Sequence, residues 1–306
     1  MKTRRCFAFA AGFLLLTSVA AQPLLLQDAR PAVIPFLLEG ANIVVDVELV
    51  PGRRLPFVFD SGLSNGNLVT QEVAKTLGLK AIASPGSKQG VNDASGDHNA
   101  ATLTTVPSIR IGGASLSKQV FAIVAIPEQV TQRPGKTALA GFIGAPLLEN
   151  AVLCIDYEHQ RMQRWARRDF DGRGLTSVPM TLNHGLPTIV VDIDGRKARL
   201  IVDSGNNGAV VVYPAFAAKH DFRKRYPDLV AHSGNDGSGQ DFEVLNGEAK
   251  IVAISPEASF QLAPLTVMPQ GMDPAWGIDG MVGFEVLSRL NPCLDRDGQR
   301  FLFRAE

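Results

Sequence analysis

The sequence predicts a mostly β protein made of two similar small closed β-barrel lobes related by a pseudo-two-fold axis. Three observations lead there: blocks of sequence recur in the same order in the two halves, the apolar runs are short and β-branched, and helical periodicity is confined to a few turns. "GFIGAPLLENAVLCIDYEHQRM" from Gly141 and "GMVGFEVLSRLNPCLDRDGQRF" from Gly280 share Gly141/Gly280, Gly144/Gly283, Leu148/Leu287, Cys154/Cys293, Asp156/Asp295, Gln160/Gln299 and Arg161/Arg300 at a constant offset of 139. The Asp-Ser-Gly corners of "FVFDSGLSNGNLVT" (57–70) and "LIVDSGNNGAVVVY" (200–213) are offset by 143, as are "NDASGD" from Asn92 and "NDGSGQ" from Asn235, and "IVVDV" at Ile43 returns as "IVVDI" at Ile189.

The chain divides accordingly. Residues 1–21 read as a secretory signal peptide, with Lys2, Arg4 and Arg5 ahead of an apolar run that ends in small residues at Ser18-Val19-Ala20. The uncharged run at 6–16 is short of the roughly 20 residues that span a bilayer, and no later segment is apolar for long enough. The expectation is an exported chain, periplasmic or secreted, monomeric and without a membrane span after cleavage. Two units follow, 32–165 and 175–304, joined at 166–174 by a charged, glycine-bearing stretch that reads as a solvated linker.

Within the first unit "NIVVDVELV", "LPFVFD", "NLVT", "ATLTTVPSIRIGG" and "QVFAIVAI" read as strands bounded by turn residues; "TIVVDI", "ARLIVD", "AVVVY", "EAKIVAI" and "PLTVMP" do so in the second. Helical signal is limited to "TQEVAKTLGL" (70–79), "YPAFAAKHDF" (213–222) and short turns after Gly144 and Gly283. The stretches 124–140 and 252–280 are Pro-bearing and irregular, and serve either as surface loops or as walls of a cleft, with Trp276 as a contact.

Charge excludes one class of function. The 30 Lys and Arg balance 30 Asp and Glu, and loss of the three basic residues before the apolar run leaves the mature chain at about −3. With no basic face interleaved with aromatics, phosphate-backbone binding has no support. The five His are scattered, and His-Glu-x-x-His and paired Cys-x-x-Cys are absent, so zinc hydrolase chemistry lacks its minimum parts. No cofactor or metal is called for.

The corners carry the chemistry. An Asp ending an apolar strand is costly to bury alone, and the Ser-Gly after it suits a tight turn whose N–H groups face the carboxylate. One such corner is an ordinary turn. Two of them, in units that pack about a pseudo-two-fold axis, bring Asp60 and Asp203 together. Carboxylates that close share a proton, so one draws a proton from water while the other donates to a carbonyl oxygen.

These residues resemble the aspartic proteases, specifically exported bacterial chains carrying two retropepsin-like units, and the resemblance covers nearly all of the mature chain. It implies the bilobal acid-protease fold, pepsin-like in outline, and peptide-bond hydrolysis of a peptide or protein substrate. Asp60 and Asp203 take the place of the catalytic pair. Ser61 and Ser204 stand where hydroxyls lock the two loops across the lobes, and Gly62 and Gly205 leave room for the turn. "GFIG" and "GMVG" resemble the hydrophobic-hydrophobic-Gly element beside the catalytic turn, with Gly144 and Gly283 where no side chain fits. Stretches 89–99 and 232–242, with Asn92, Asp93, Ser95, Asn235, Asp236 and Ser238, are flap candidates, though neither has the Tyr of pepsin-type flaps. Leu63 stands where pepsin-like enzymes place a hydroxyl on the aspartate, and Asn206 is its counterpart, so unequal support of the two carboxylates is expected. Cys154 and Cys293, in matched positions, are either bridged across the lobes or two buried thiols. The second functional reading is a catalytically silent peptide-binding or scaffold protein on the same fold.

Overall fold

The computed structural model describes residues 30–64, 66–82, 90–92, 98–235 and 241–304; the segment read as a signal peptide lies outside them. In the first unit strands Asn42–Val50, Arg53–Phe59, Gly141–Ile143, Asn67–Thr70, Ala114–Val124 and Thr102–Ile111 are hydrogen-bonded in that order, and Thr102–Ile111 pairs back on Asn42–Val50 to close a barrel. In the second, Leu186–Ile193, Arg196–Val202, Gly280–Val282, Val210–Val212, Ala258–Val267 and Asp241–Ser255 follow one another, and the last pairs back on the first. The order is the same strand for strand. Each strand that leads into a corner runs parallel to the short strand carrying the later glycines.

Period-two alternation explains what each strand does. Phe57 and Phe59 enter the first barrel and Leu200 and Val202 the second, all fully buried. The intervening Val58 and Ile201 point to the outer face, where they are also buried, in separate apolar clusters under the segments that approach Gly141 and Gly280. Both faces of these strands are therefore dry, and the residue that follows Phe59 or Val202 in the alternation, Asp60 or Asp203, emerges on the outer face.

A third layer joins the barrels. Ala32–Pro35, Arg161–Ala166, Ala151–Asp156, Cys293–Asp295, Arg300–Phe303 and Thr176–Asn183 form a sheet in that order. Its centre is the antiparallel pair in which Cys154 lies opposite Cys293, and the two sulfurs are bonded. The strand Thr176–Asn183 serves two masters: 176–179 pair with Arg300–Phe303, and 180–183 pair with Leu186–Ile193, which fuses this layer to the second barrel. These short strands were not legible as strands, because sequences such as "RMQRWA" mix polar and apolar residues without a clear alternation in burial.

Residues 166–174 face solvent, none of them buried, while Ala166 still belongs to a strand and Arg167 Nε reaches the fully buried Asp295 carboxylate at 2.9 Å. One expectation is corrected. Of the stretch read as irregular at 252–280, the part up to Val267 is a long hairpin, leaving only 268–279 irregular. The predicted helices are present as Gln71–Thr76, capped by Thr70, and Pro214–Lys219, followed by a further turn, Phe222–Arg225.

The loops before Gly141 and Gly280 are pinned by different chemistry. In the first unit Arg133 donates from Nε to Glu39 at 2.7 Å and from Nη2 at 2.5 Å, Lys136 adds a contact at 2.8 Å, and Arg133 Nη1 holds the Thr137 carbonyl at 3.0 Å. In the second, Asn183 Nδ2 holds the Trp276 carbonyl at 3.2 Å, and the Trp276 ring stacks on His184 with centroids 3.9 Å apart. Hydrogen bonds from Arg133 and Lys136 lower the Glu39 carboxyl to about 2. A lowered carboxylate stabilises the fold fully above its unfolded value, near 4.5, and loses that contribution as pH falls through about 2. Glu39→Gln is expected to cost about 1 to 2 kcal/mol at pH 6, discounted for partial solvent exposure, and almost nothing at pH 2. Urea midpoints at the two pH values measure this.

Candidate active site

The corners meet face to face. Where each strand ends, the Asp60 N–H donates to the Ile143 carbonyl at 2.9 Å and the Asp203 N–H to the Val282 carbonyl at 3.0 Å. Each carboxylate then accepts the N–H of its own glycine two residues on, Gly62 at 2.7 Å and Gly205 at 2.9 Å, and each turn closes through the N–H of Leu63 or Asn206 to the aspartate carbonyl at 3.3 Å. This is the conformation that short Asp-Ser-Gly segments favour.

Ser61 and Ser204, both buried, tie the turns to one another. The Ser61 N–H donates to Ser204 Oγ and the Ser204 N–H to Ser61 Oγ, each at 3.0 Å; Ser61 Oγ donates on to the Val202 carbonyl at 2.7 Å, and Ser204 Oγ to the Phe59 carbonyl at 3.2 Å. Every donor in this cross-brace has its acceptor in the other lobe, which fixes the corners relative to each other. The glycines that follow make the close approach feasible. A Cβ on Gly62 would lie 2.8 Å from Asp203 Cγ, and one on Gly205 would lie 2.8 Å from Asp60 Cγ. Any side chain there would push the pair apart.

Gly144 and Gly283 stand under the turns. A Cβ at Gly144 would lie 2.4 Å from the Gly66 carbonyl oxygen, and one at Gly283 would lie 2.5 Å from that of Asn206. Ala145 and Phe284, the next residues, donate N–H bonds of 2.8 Å to the carbonyls of Leu63 and Asn206.

The carboxyl groups of Asp60 and Asp203 hydrogen-bond each other. Each keeps part of its surface open, yet the protein around it solvates charge poorly. Burial raises Asp203 well above the usual carboxylate range, and the neighbouring charge of Asp60 raises it further. Burial also raises Asp60, opposed by the hydrogen bond from Asp203 and by the N–H groups of Gly62 and Leu63. One proton is thus shared by the pair.

The roles expected of Leu63 and Asn206 are corrected. Leu63 supports Asp60 through its backbone N–H, and its side chain lies toward Gly144. Asn206 does not lend its amide to Asp203; Oδ1 accepts the Gly208 N–H at 2.8 Å, and Cγ lies toward Gly283. Equivalent backbone N–H groups serve both aspartates, so the inequality between them has another source.

Asn67 was missed. Fully buried, it accepts the Gly144 N–H at 3.1 Å and donates to the Val120 carbonyl at 3.1 Å. In the other lobe the Gly283 N–H finds a backbone carbonyl, that of Ala209, at 2.9 Å. A polar residue facing Val210 in the duplicated blocks was the available signal.

The flap candidates are partly described. Residues 90–92 pair with 98–100 as a separate hairpin, and 230–235 pair with 241–246 in a hairpin continuous with the second barrel. Asn92 and Asn235 lie in these strands; Asp93, Ser95, Asp236 and Ser238 lie outside the described residues. Trp276 packs on His184 and on the apolar cluster of the second lobe. A concavity of about 490 Å³ lined by residues such as Phe260, Arg289 and Arg304 includes no residue of either corner. Among the described residues no group of three His, Cys, Asp or Glu is placed to hold a metal ion, and no helix is long and apolar enough to cross a membrane.

Residues 45–146 match the family model described as aspartyl protease. Among solved structures, the crystal structure of basic 7S globulin from soybean is similar, with a TM-score of 0.48 and 13% identity over 91% of this chain and 95% of that one. No curated protein matches the sequence.

Proposed function

We propose, on the premise that the first unit matches the aspartyl protease family, that the whole chain is an aspartic endopeptidase whose pair is Asp60 and Asp203. The observation that carries this is the meeting of two carboxyls, Asp60 and Asp203, at turns cross-braced through Ser61 and Ser204. Water bound between them loses a proton to Asp60 as its oxygen attacks the scissile carbonyl carbon, while Asp203 passes its proton to the carbonyl oxygen. The tetrahedral diol collapses as the C–N bond breaks, the amine takes the proton from Asp60, and the diol hydroxyl returns one to Asp203. The pair ends as it began.

The bridge between Cys154 and Cys293 suits an oxidising compartment, which agrees with a cleaved segment 1–21 and a periplasmic or secreted site of action. The substrate is an extended peptide or unfolded protein, and the working unit is a monomer, since one chain supplies both aspartates.

Reduced, alkylated casein incubated with the exported protein between pH 3 and 7 tests this, with mass spectrometry of new termini. Internal cleavage that pepstatin suppresses is expected. Tight casein binding with no new termini at any pH would replace this reading with the silent peptide binder.

A further inference from the structure

Three tyrosines are present in the sequence, and two of them are used in an unusual way. Tyr226 gives its hydroxyl to Asp194 at 2.8 Å. Tyr157 and Tyr213 are 6% and 2% exposed, and neither hydroxyl has a hydrogen-bond partner among the described residues. A buried phenol without a partner costs the fold stability that a phenylalanine would not.

Both phenols converge on the second corner. Tyr157 comes up from the joining sheet, its ring edge-on between Phe36 and Phe284 with centroids 6.2 and 5.7 Å apart, and Phe284 is the residue whose N–H closes onto the Asp203 turn. Tyr213 extends from the strand Val210–Val212 on the same outer face as Ile201 and Met281, the face from which Asp203 emerges two residues after Ile201. The loop at Gly271 packs so tightly on its ring that a Cβ there would lie 2.5 Å from Tyr213 Cδ1. Neither phenol is duplicated in the other repeat. Thr70 takes the place of Tyr213 and caps a helix, and Arg296 stands at the repeat position of Tyr157, so the fold does not require either ring.

We propose that Tyr157 and Tyr213 are positioning residues for Asp203: two phenol dipoles, kept free of protein partners, that stabilise the carboxylate Asp203 becomes when it yields its proton to the substrate. The inference rests on the protease reading above. Dipoles fixed in advance where charge will develop need no reorganisation during the reaction. Burial and the charge of Asp203 push both phenols upward, so they remain protonated donors. Asp203 is the charged group acting on each of them, and Asp60 is the charged group acting on Asp203. Because the phenols serve one aspartate and not the other, they also supply an asymmetry that the matched turns do not.

The test is Tyr213→Phe and Tyr157→Phe, each in the full exported protein, read by melting temperature and by the pH profile of kcat/KM. Loss of a donor makes the Asp203 anion less stable, so its proton is released at higher pH. The alkaline limb should move up by about half a pH unit, kcat should fall about fivefold or more, the acid limb should stay, and the melting temperature should hold or rise. Unmoved limbs in both variants, whether the melting temperature falls or not, overturn the inference and leave the protease reading standing. No turnover by the wild type overturns the protease reading and the inference with it.

Discussion

Asp203→Asn should abolish peptide turnover and at the same time raise the melting temperature at pH 7. The first half follows from the proton's address. An amide cannot give a proton to the scissile carbonyl oxygen, and Asp60→Asn equally cannot take one from water, so each single variant should lose about a thousandfold or more in kcat/KM. The second half follows from linkage. Burial raises the folded-state value of Asp203 well above that of the unfolded chain, so ionising it costs stability at pH values above the folded value. As pH falls below that value the native state takes up the proton and the cost declines, reaching zero only below the unfolded value near about 4. The neutral amide carries no such cost at any pH, while its geometry lets it keep the acceptor for the Gly205 N–H. The gain in melting temperature should therefore be largest at neutral pH and should vanish below about pH 4. Scanning calorimetry across pH and a peptide assay measure the two halves. Retained turnover would remove Asp203 from the chemistry, and a lower melting temperature at pH 7 would show that its charge is stabilised in the fold.

Cys154→Ser with Cys293→Ser should cost about 3 to 5 kcal/mol of unfolding free energy and little activity. The bridge closes a segment of 139 residues, and the loop-closure entropy it removes from the unfolded chain is of that order. In the folded protein the cysteines already face each other in a hydrogen-bonded register, with Leu153 opposite Leu294 beside them, and the aspartates are held by the separate cross-brace of Ser61 and Ser204. Loss of the bridge therefore acts on the unfolded state more than on the site. Guanidinium unfolding with and without reductant measures the change. A loss below about 1 kcal/mol would mean that the sheet alone confines the two halves.

Duplication made much of the architecture legible. Matching blocks at fixed offsets marked two units, and strands such as Asn42–Val50 and Leu186–Ile193 were readable because a barrel imposes alternation on residues with an inside and an outside. The joining sheet was not readable in the same way. Its strands are short, they sit at the ends of the units, and their partners come from the other half of the chain. The anchor of the solvated linker was hidden for a related reason: Arg167 looks like any surface charge until Asp295, 128 residues later, is seen buried beside it.

What the sequence alone determined was composition at each corner. Asp60 and Asp203 end apolar strands, glycines follow where a Cβ would strike the opposite carboxylate, and serines sit between them; these are local necessities of a tight turn, and they are written twice. Tertiary structure decided how firmly the pair keeps its proton. That depends on burial and on the charge facing each group. Leu63 and Asn206, adjacent in sequence to the carboxylates, proved to lend them backbone N–H groups and no side-chain donor. Electrostatic environment is a sum over neighbours in space, and only folding assigns those neighbours.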